Sequence, residues 1–178
     1  MKKFLQLVSL VLVAVVVFVA TPVGKGAKVS AAVSGDFEYT VNDGSATIKK
    51  YLGIGGNVTI PDTLGGYKVT EIGNSAFSNC GERLTSVIIP DGVTTIGWSA
   101  FEGCKGLTDI NIPDSVVTIG GYAFCGCESL KDITIPNSVT TISNFAFAGC
   151  SNLKSVVIPN KLPLLKGTFL LGVVVCLM

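Results

Sequence analysis

Six cysteines and no histidine set the chemistry open to this sequence. Cys80, Cys104, Cys127 and Cys150 recur once per stretch of similar sequence, the last three each 23 positions apart. A thiolate can act as nucleophile, metal ligand or disulfide partner. Tetrahedral zinc needs ligands that converge, usually from paired Cys-x-x-Cys steps, and cysteines placed once per repeat form a straight column instead. Neighbouring repeats can bring two Cα atoms within bonding range. Identical surroundings in every repeat also suit small buried thiols. Core filler, an inter-repeat disulfide and, least suited, a metal site are therefore the three readings of the column. Cys125 stands apart, because its equivalents are Ser78, Glu102 and Ala148. It is expected at the surface as a reactive thiol. Without histidine there is no Ser-His-Asp triad, no Cys-His pair and no His-ligated metal. The carboxylates are spread regularly, so no acid–base pair stands out. No enzymatic activity, catalytic residue, cofactor or metal is expected.

The other candidates depend on the repeat itself. Ile89-Pro90-Asp91-Gly92-Val93-Thr94-Thr95-Ile96-Gly97 leads to Ala100-Phe101 and Cys104, and the same phrase returns from Ile112 and from Ile135. Pro90, Pro113, Pro136 and Pro159 keep the spacing of 23. A fixed period in the range of about 20 to 50 residues signals a stacked solenoid. Within one repeat, Leu107-x-x-Ile110-x-Ile112 reads as a strand, and Pro113 ends it for want of an amide donor. Asp114-Ser115 reads as a turn and Val116-x-x-Ile119 as a second extended piece. Ala123-Phe124-x-x-Cys127 has the spacing of one helical turn, which Asn74, Asn144, Ser75 and Ser99 are placed to cap. The fold expected is a leucine-rich solenoid of short parallel strands and brief helical turns.

That register defines outward columns on the main strands: Ser86, Asp109, Asp132 and Ser155; then Ile88, Asn111, Thr134 and Val157; and beside them Thr85, Thr108, Lys131 and Lys154. Solenoids use concave sheets of this kind as extended binding surfaces. The partner-binding set expected is Ser86, Ile88, Asp109, Asn111, Lys131, Asp132, Thr134, Lys154 and Ser155. Asp109 and Asp132 oppose like charges across one strand spacing, at a small cost. No acidic loop surrounds them as a calcium site requires. Trp98, Tyr122 and Phe145 stand near the turns, either as rim anchors for a partner or as packing between coils. The Asp62, Asp91, Asp114, Asn137 and Asn160 series follows each proline and reads as turn chemistry.

The flanks complete the organisation. Residues 1–32 read as a signal peptide, with Lys2-Lys3 before an apolar run from Phe4 to Ala20 and small residues at Val29-Ser30-Ala31-Ala32; an uncleaved anchor is the rival reading. Removing Lys2, Lys3, Lys25 and Lys28 leaves 9 basic residues against 12 acidic ones, a charge of −3. No basic patch then points to nucleic acid or an anionic membrane, and no span is expected in the mature domain. Residues 33–57 read as an N-terminal β cap, a hairpin turning at Asn42-Asp43-Gly44-Ser45 that covers the first coil. The solenoid occupies 58–160. Its first coil is divergent, with five inserted residues around Leu64-Gly65-Gly66-Tyr67 expected to bulge from one side, and one extra residue between Cys80 and Pro90. Residues 161–178 abandon the phrase. They read either as a truncated or frame-shifted repeat or as an apolar strand added to the last coil.

The phrase Leu-x-x-Ile-x-Ile-Pro-Asp/Asn-x-Val-x-x-Ile-Gly-x-x-Ala-Phe-x-x-Cys resembles the BspA-like class of leucine-rich repeats over residues 58–160. The resemblance implies an exported bacterial surface protein that adheres to host matrix proteins or to other cells. Period and spacing alone imply a secreted solenoid. Two functions follow as expectations: a secreted or cell-surface module that binds a protein or glycan of a host or neighbouring cell through its concave sheet, or a structural spacer without a ligand of its own.

Overall fold

The computed structural model describes residues 29–158 and 175–177. Most of the expected signal peptide and most of the expected apolar tail lie outside these residues. The elements are all strands: β1 (Val29–Ser34), β2 (Phe37–Asn42), β3 (Ser45–Tyr51), β4 (Gly56–Thr59), β5 (Thr63–Leu64), β6 (Tyr67–Ile72), β7 (Leu84–Ile88), β8 (Thr95–Ile96), β9 (Asp109–Asn111), β10 (Thr118–Ile119), β11 (Asp132–Thr134), β12 (Thr141–Ile142), β13 (Ser155–Ile158) and β14 (Val175–Leu177). No helix occurs among the described residues, and so none long and apolar enough to cross a membrane.

Each repeat supplies one strand to each of two parallel rows. One row runs β6-β8-β10-β12 in register, with Ile72, Ile96, Ile119 and Ile142 at matching positions. The other pairs β4-β7-β9 and, separately, β11-β13-β14. The two rows enclose columns of identical residues. Phe77, Phe101, Phe124 and Phe147 stack with centroids 4.9, 5.4 and 5.3 Å apart, and the Leu84, Leu107, Leu130 and Leu153 column lies beside them, equally buried. A single coil cannot bury these side chains; its neighbours do.

The expected helical turn is not one, for a physical reason. The residue before each Ala-Phe pair has a left-handed backbone: Ser75 (φ 57°), Ser99 (φ 52°), Tyr122 (φ 57°) and Phe145 (φ 60°). Such residues do not propagate a right-handed helix. The amides also point along the solenoid axis, so that Phe101 N–H donates to Ala123 O of the next coil at 2.7 Å, as Phe124 does to Ala146 O. Capping changes accordingly. Asn74 Oδ1 accepts from the Trp98 amide of the next coil at 2.9 Å rather than from its own turn.

The N-terminal hairpin forms as expected, turning at Asp43 (φ 50°) and Gly44 (φ 78°). Its strand β3 pairs in parallel with β6 and so heads the continuous row. Tyr51 N–H donates to Ala76 O at 2.7 Å, the same bond that Phe77, Phe101 and Phe124 make to the following coil, and its ring stacks on Phe77 at 5.0 Å. The cap therefore works by supplying an extra ring to the phenylalanine column. Strand β1 lies on the far edge of β2 and spans the expected Ala32 boundary.

The insertion does not bulge. Strands β5 and β6 close a hairpin, Leu64 opposite Tyr67, through Gly65 (φ 58°) and Gly66 (φ 87°). Both glycines take the positive φ that a two-residue hairpin turn requires. A Cβ on Gly65 would sit 2.0 Å from the Tyr39 hydroxyl oxygen, so the hairpin lies folded on the cap with Leu64 buried. At the other end, β14 pairs with β13 through Val156–Val175 and Ile158–Leu177.

Candidate binding groove and thiol column

The expected partner-binding columns do face outward. Ile88, Asp109, Asn111, Lys131, Asp132, Thr134 and Lys154 are exposed, and Ser86 and Ser155 are half-buried. The alternation follows from strand geometry, because Val87, Ile110, Ile133 and Val156 between them point into the core. Register aligns Ser86 with Asp109, Ile88 with Asn111, and Asp132 with Ser155. Asn57 heads the first column, opposite Ser86; its Oδ1 accepts from both Thr85 Oγ1 and Ser86 Oγ at 2.9 Å. Counting four positions back from Pro61 would have found Asn57 in the sequence.

One expectation about this face is corrected. Asp109 and Asp132 are not ladder partners, because the row divides between β9 and β11. The division falls where two carboxylates, Asp109 and Asp132, occupy equivalent positions on successive strands, and β9 and β11 remain neighbours without a ladder between them. Elsewhere hydroxyls and amides dilute the charge: Ser155 Oγ donates to Asp132 Oδ1 at 2.7 Å, and Asn111 Oδ1 accepts the Ile89 amide at 2.9 Å.

A groove of about 920 Å³ opens over the division. Asp109, Asn111, Asp132 and Thr134 line it, joined by Asp114 and Asn137 from the turns after the prolines. Those two turn residues are groove wall as well as turn chemistry. Lys131, Lys154, Ser86 and Ile88 share the face but not the groove. No three His, Cys, Asp or Glu side chains among the described residues stand close enough to share a cation.

Residues 57–170 match the BspA type leucine rich repeat region, in six copies. The chain belongs to this family. Among solved structures it is similar to a leucine rich cell surface protein from Faecalibacterium prausnitzii A2-165, at 38% identity and TM-score 0.73, over 84% of this chain and 43% of that one. A leucine-rich repeat protein from Bacteroides capillosus ATCC 29799 matches at 33% identity and TM-score 0.63, over 71% of this chain and 96% of that one. The T. pallidum leucine rich repeat protein matches at 31% identity and TM-score 0.58, over 73% and 72% of the two chains. No curated protein matches the sequence.

In this BspA-type chain the cysteine column is mostly core. Cys104, Cys127 and Cys150 are buried, and their Sγ atoms donate to Phe77 O, Phe101 O and Phe124 O of the preceding coils at 3.0, 3.3 and 3.1 Å. Burial raises the Cys127 thiol and pushes Cys150 up to about 12. Cys80 differs. It is half-buried, and the neighbouring Cys104 side chain, aided by Arg83, pulls it down to about 7 against its burial. The same contact, with burial, raises Cys104. Cys125 is not the exposed, reactive thiol expected. It is half-buried, and burial together with the nearby Glu102 carboxylate raises it.

Trp98, Tyr122 and Phe145 form a ladder along the turn edge, with centroids 5.3 and 5.1 Å apart. Ring covers ring, so packing between coils describes them, although Trp98 keeps 52% of its surface exposed. A Cβ on Gly121 would come within 2.6 Å of the Trp98 ring. Gly121→Ala should therefore tilt the indole off Tyr122. Trp98 is the sole tryptophan, so its emission should move to longer wavelength. The half-exposed indole can yield, so the stability cost should stay under about 1 kcal/mol, below the usual range for overpacking a rigid core. Unchanged emission would mean that the indole is not seated on Gly121.

Proposed function

We propose that this protein is an extracellular, cell-surface-associated module that binds a protein or glycan of a host or neighbouring cell, without turnover, through the outward face centred on the β9–β11 groove. The observation that carries this reading is the groove itself. Among the described residues it lies at the division of an otherwise regular row, where outward residues that the repeat does not fix, Asp109, Asn111, Asp132 and Thr134, stand over a floor of constant isoleucines. The constant residues of the repeat are buried core, so recognition has to use the variable ones. Membership of a leucine-rich repeat family supports a binding role in general. The cell-surface description of the Faecalibacterium relative supports the location.

Binding of the purified chain to immobilised extracellular-matrix proteins and to whole cells tests the reading. Replacing Asp109, Asn111, Asp132 and Thr134 together by alanine should weaken retention at least roughly tenfold, equivalent to about 1.4 kcal/mol, with the melting transition preserved. Undiminished retention would move recognition off the groove. Absence of binding by the parent chain to every surface would favour the spacer role instead.

A further inference from the structure

Cys80 is the one member of the column that solvent reaches. The cause is local. Regular coils run Phe-x-Gly-Cys and reach the next strand leucine three positions later, whereas the first coil reaches Leu84 four positions after Cys80. Gly81 takes up the additional residue with a left-handed backbone, φ 61°, and the widened turn leaves Cys80 half-open. Its partner in the next coil is closed. Cys104 is buried, and it stands at the matching position of the next coil, beyond the Phe77–Phe101 stack whose ring centroids are 4.9 Å apart. The Asn79 amide bonds to Glu102 O at 2.7 Å immediately before the pair. That bond ties the two segments together next to the cysteines, and a disulfide needs Cα atoms roughly 4.4–6.8 Å apart, about the spacing of stacked coils. Arg83 adds a positive charge beside Cys80.

We infer that Cys80 and Cys104 are a dithiol modification site that takes a low-molecular-weight disulfide as oxidant and closes to an intrachain bond clamping the first coil to the second. Cys80 loses its proton to solvent, and its thiolate attacks one sulfur of the small disulfide. A Cys80–S bond forms, the small molecule's S–S bond breaks, and one thiolate leaves and takes up a proton. Cys104 then gives up its proton and attacks the Cys80 sulfur, expelling the second small thiol. The protein pair is oxidised by two electrons and the small disulfide is reduced to two thiols. The departing small thiolate takes up the proton that Cys104 gives up, so the step needs no second base. Cys127 and Cys150 lack an exposed member and stay reduced.

The native full-length chain is incubated with oxidised glutathione, quenched with iodoacetamide in denaturant and digested with trypsin without reductant. Cleavage after Lys68, Arg83 and Lys105 separates the two cysteines. Peptides 69–83 and 84–105 should be recovered joined. Cys104→Ser should instead retain a glutathione adduct on 69–83, and Cys80→Ser should leave Cys104 alkylated. Three results in the wild-type digest would each overturn the inference: both peptides recovered separately with alkylated cysteines, a lasting adduct on Cys80, or an equal yield of linkage between 106–131 and 132–154. The wild-type digest decides the matter even if a variant fails to fold.

Discussion

Replacing Phe124 by alanine should lower the unfolding free energy by about 3–5 kcal/mol, the usual range for emptying a buried phenylalanine site. Phe124 is fully buried and stacks on Phe101 at 5.4 Å and on Phe147 at 5.3 Å, with nearly parallel rings. Both faces of the ring lose their contacts in the variant. The neighbouring backbone cannot collapse into the gap, because the amide–carbonyl bonds of Phe101 and Phe124 along the axis fix the coil spacing. A solenoid's stability is close to a sum of nearest-neighbour interfaces, and this substitution weakens two of them in the middle of the array. Phe145→Ala is the matched control. That ring is half-exposed and stacks on Tyr122, so its loss should cost about 1 kcal/mol. Urea titrations of the two variants against the parent give the comparison. Equal losses would show that the phenylalanine column is not the spine of the fold.

The stacking was legible because it rests on side-chain identity at a fixed period. Pro, Ile-Gly, Ala-Phe and Cys recur at constant spacing, and each forms an axial column once the coils are superposed. Backbone handedness was not legible. Serine, tyrosine and phenylalanine occupy the left-handed position before Ala-Phe, residue types that give no hint of positive φ, so a helical turn was the natural reading. The hairpin at Gly65-Gly66 could be seen as a loop, but not where it folds, because Tyr39 lies far away in sequence.

The candidate site divides in the same way. Its outward residues follow from alternation along the strands. The groove follows from a missing ladder between β9 and β11, a cooperative outcome that no single residue announces. The asymmetry among the thiols was hidden for a similar reason. Gly81 opens the turn beside Cys80, whereas burial and then the Glu102 carboxylate raise Cys125, and both effects act only through the folded chain.

The second large effect concerns the open end of the array. Tyr51→Ala should cost about 3 kcal/mol or more, the lower part of the range for deleting a buried aromatic, and the loss should concentrate in the first coil. Tyr51 stands where a preceding phenylalanine would stand. It stacks on Phe77 at 5.0 Å, packs against Phe37 at 5.6 Å and is 9% exposed. Without it one face of Phe77 meets solvent, and the terminal interface of the solenoid is lost. Tyr51→Phe separates the ring from its hydroxyl. The hydroxyl oxygen accepts the Gly55 amide at 3.3 Å, so this variant should lose only about 0.5–1.5 kcal/mol, the net worth of one hydrogen bond. Amide exchange gives the spatial test. In Tyr51→Ala, protection should fall in β6, which pairs with β3 of the cap, and persist in β10 and β12. Uniform loss of protection across all four strands of that row would show that the cap stabilises the array as a single cooperative unit rather than by closing its first interface.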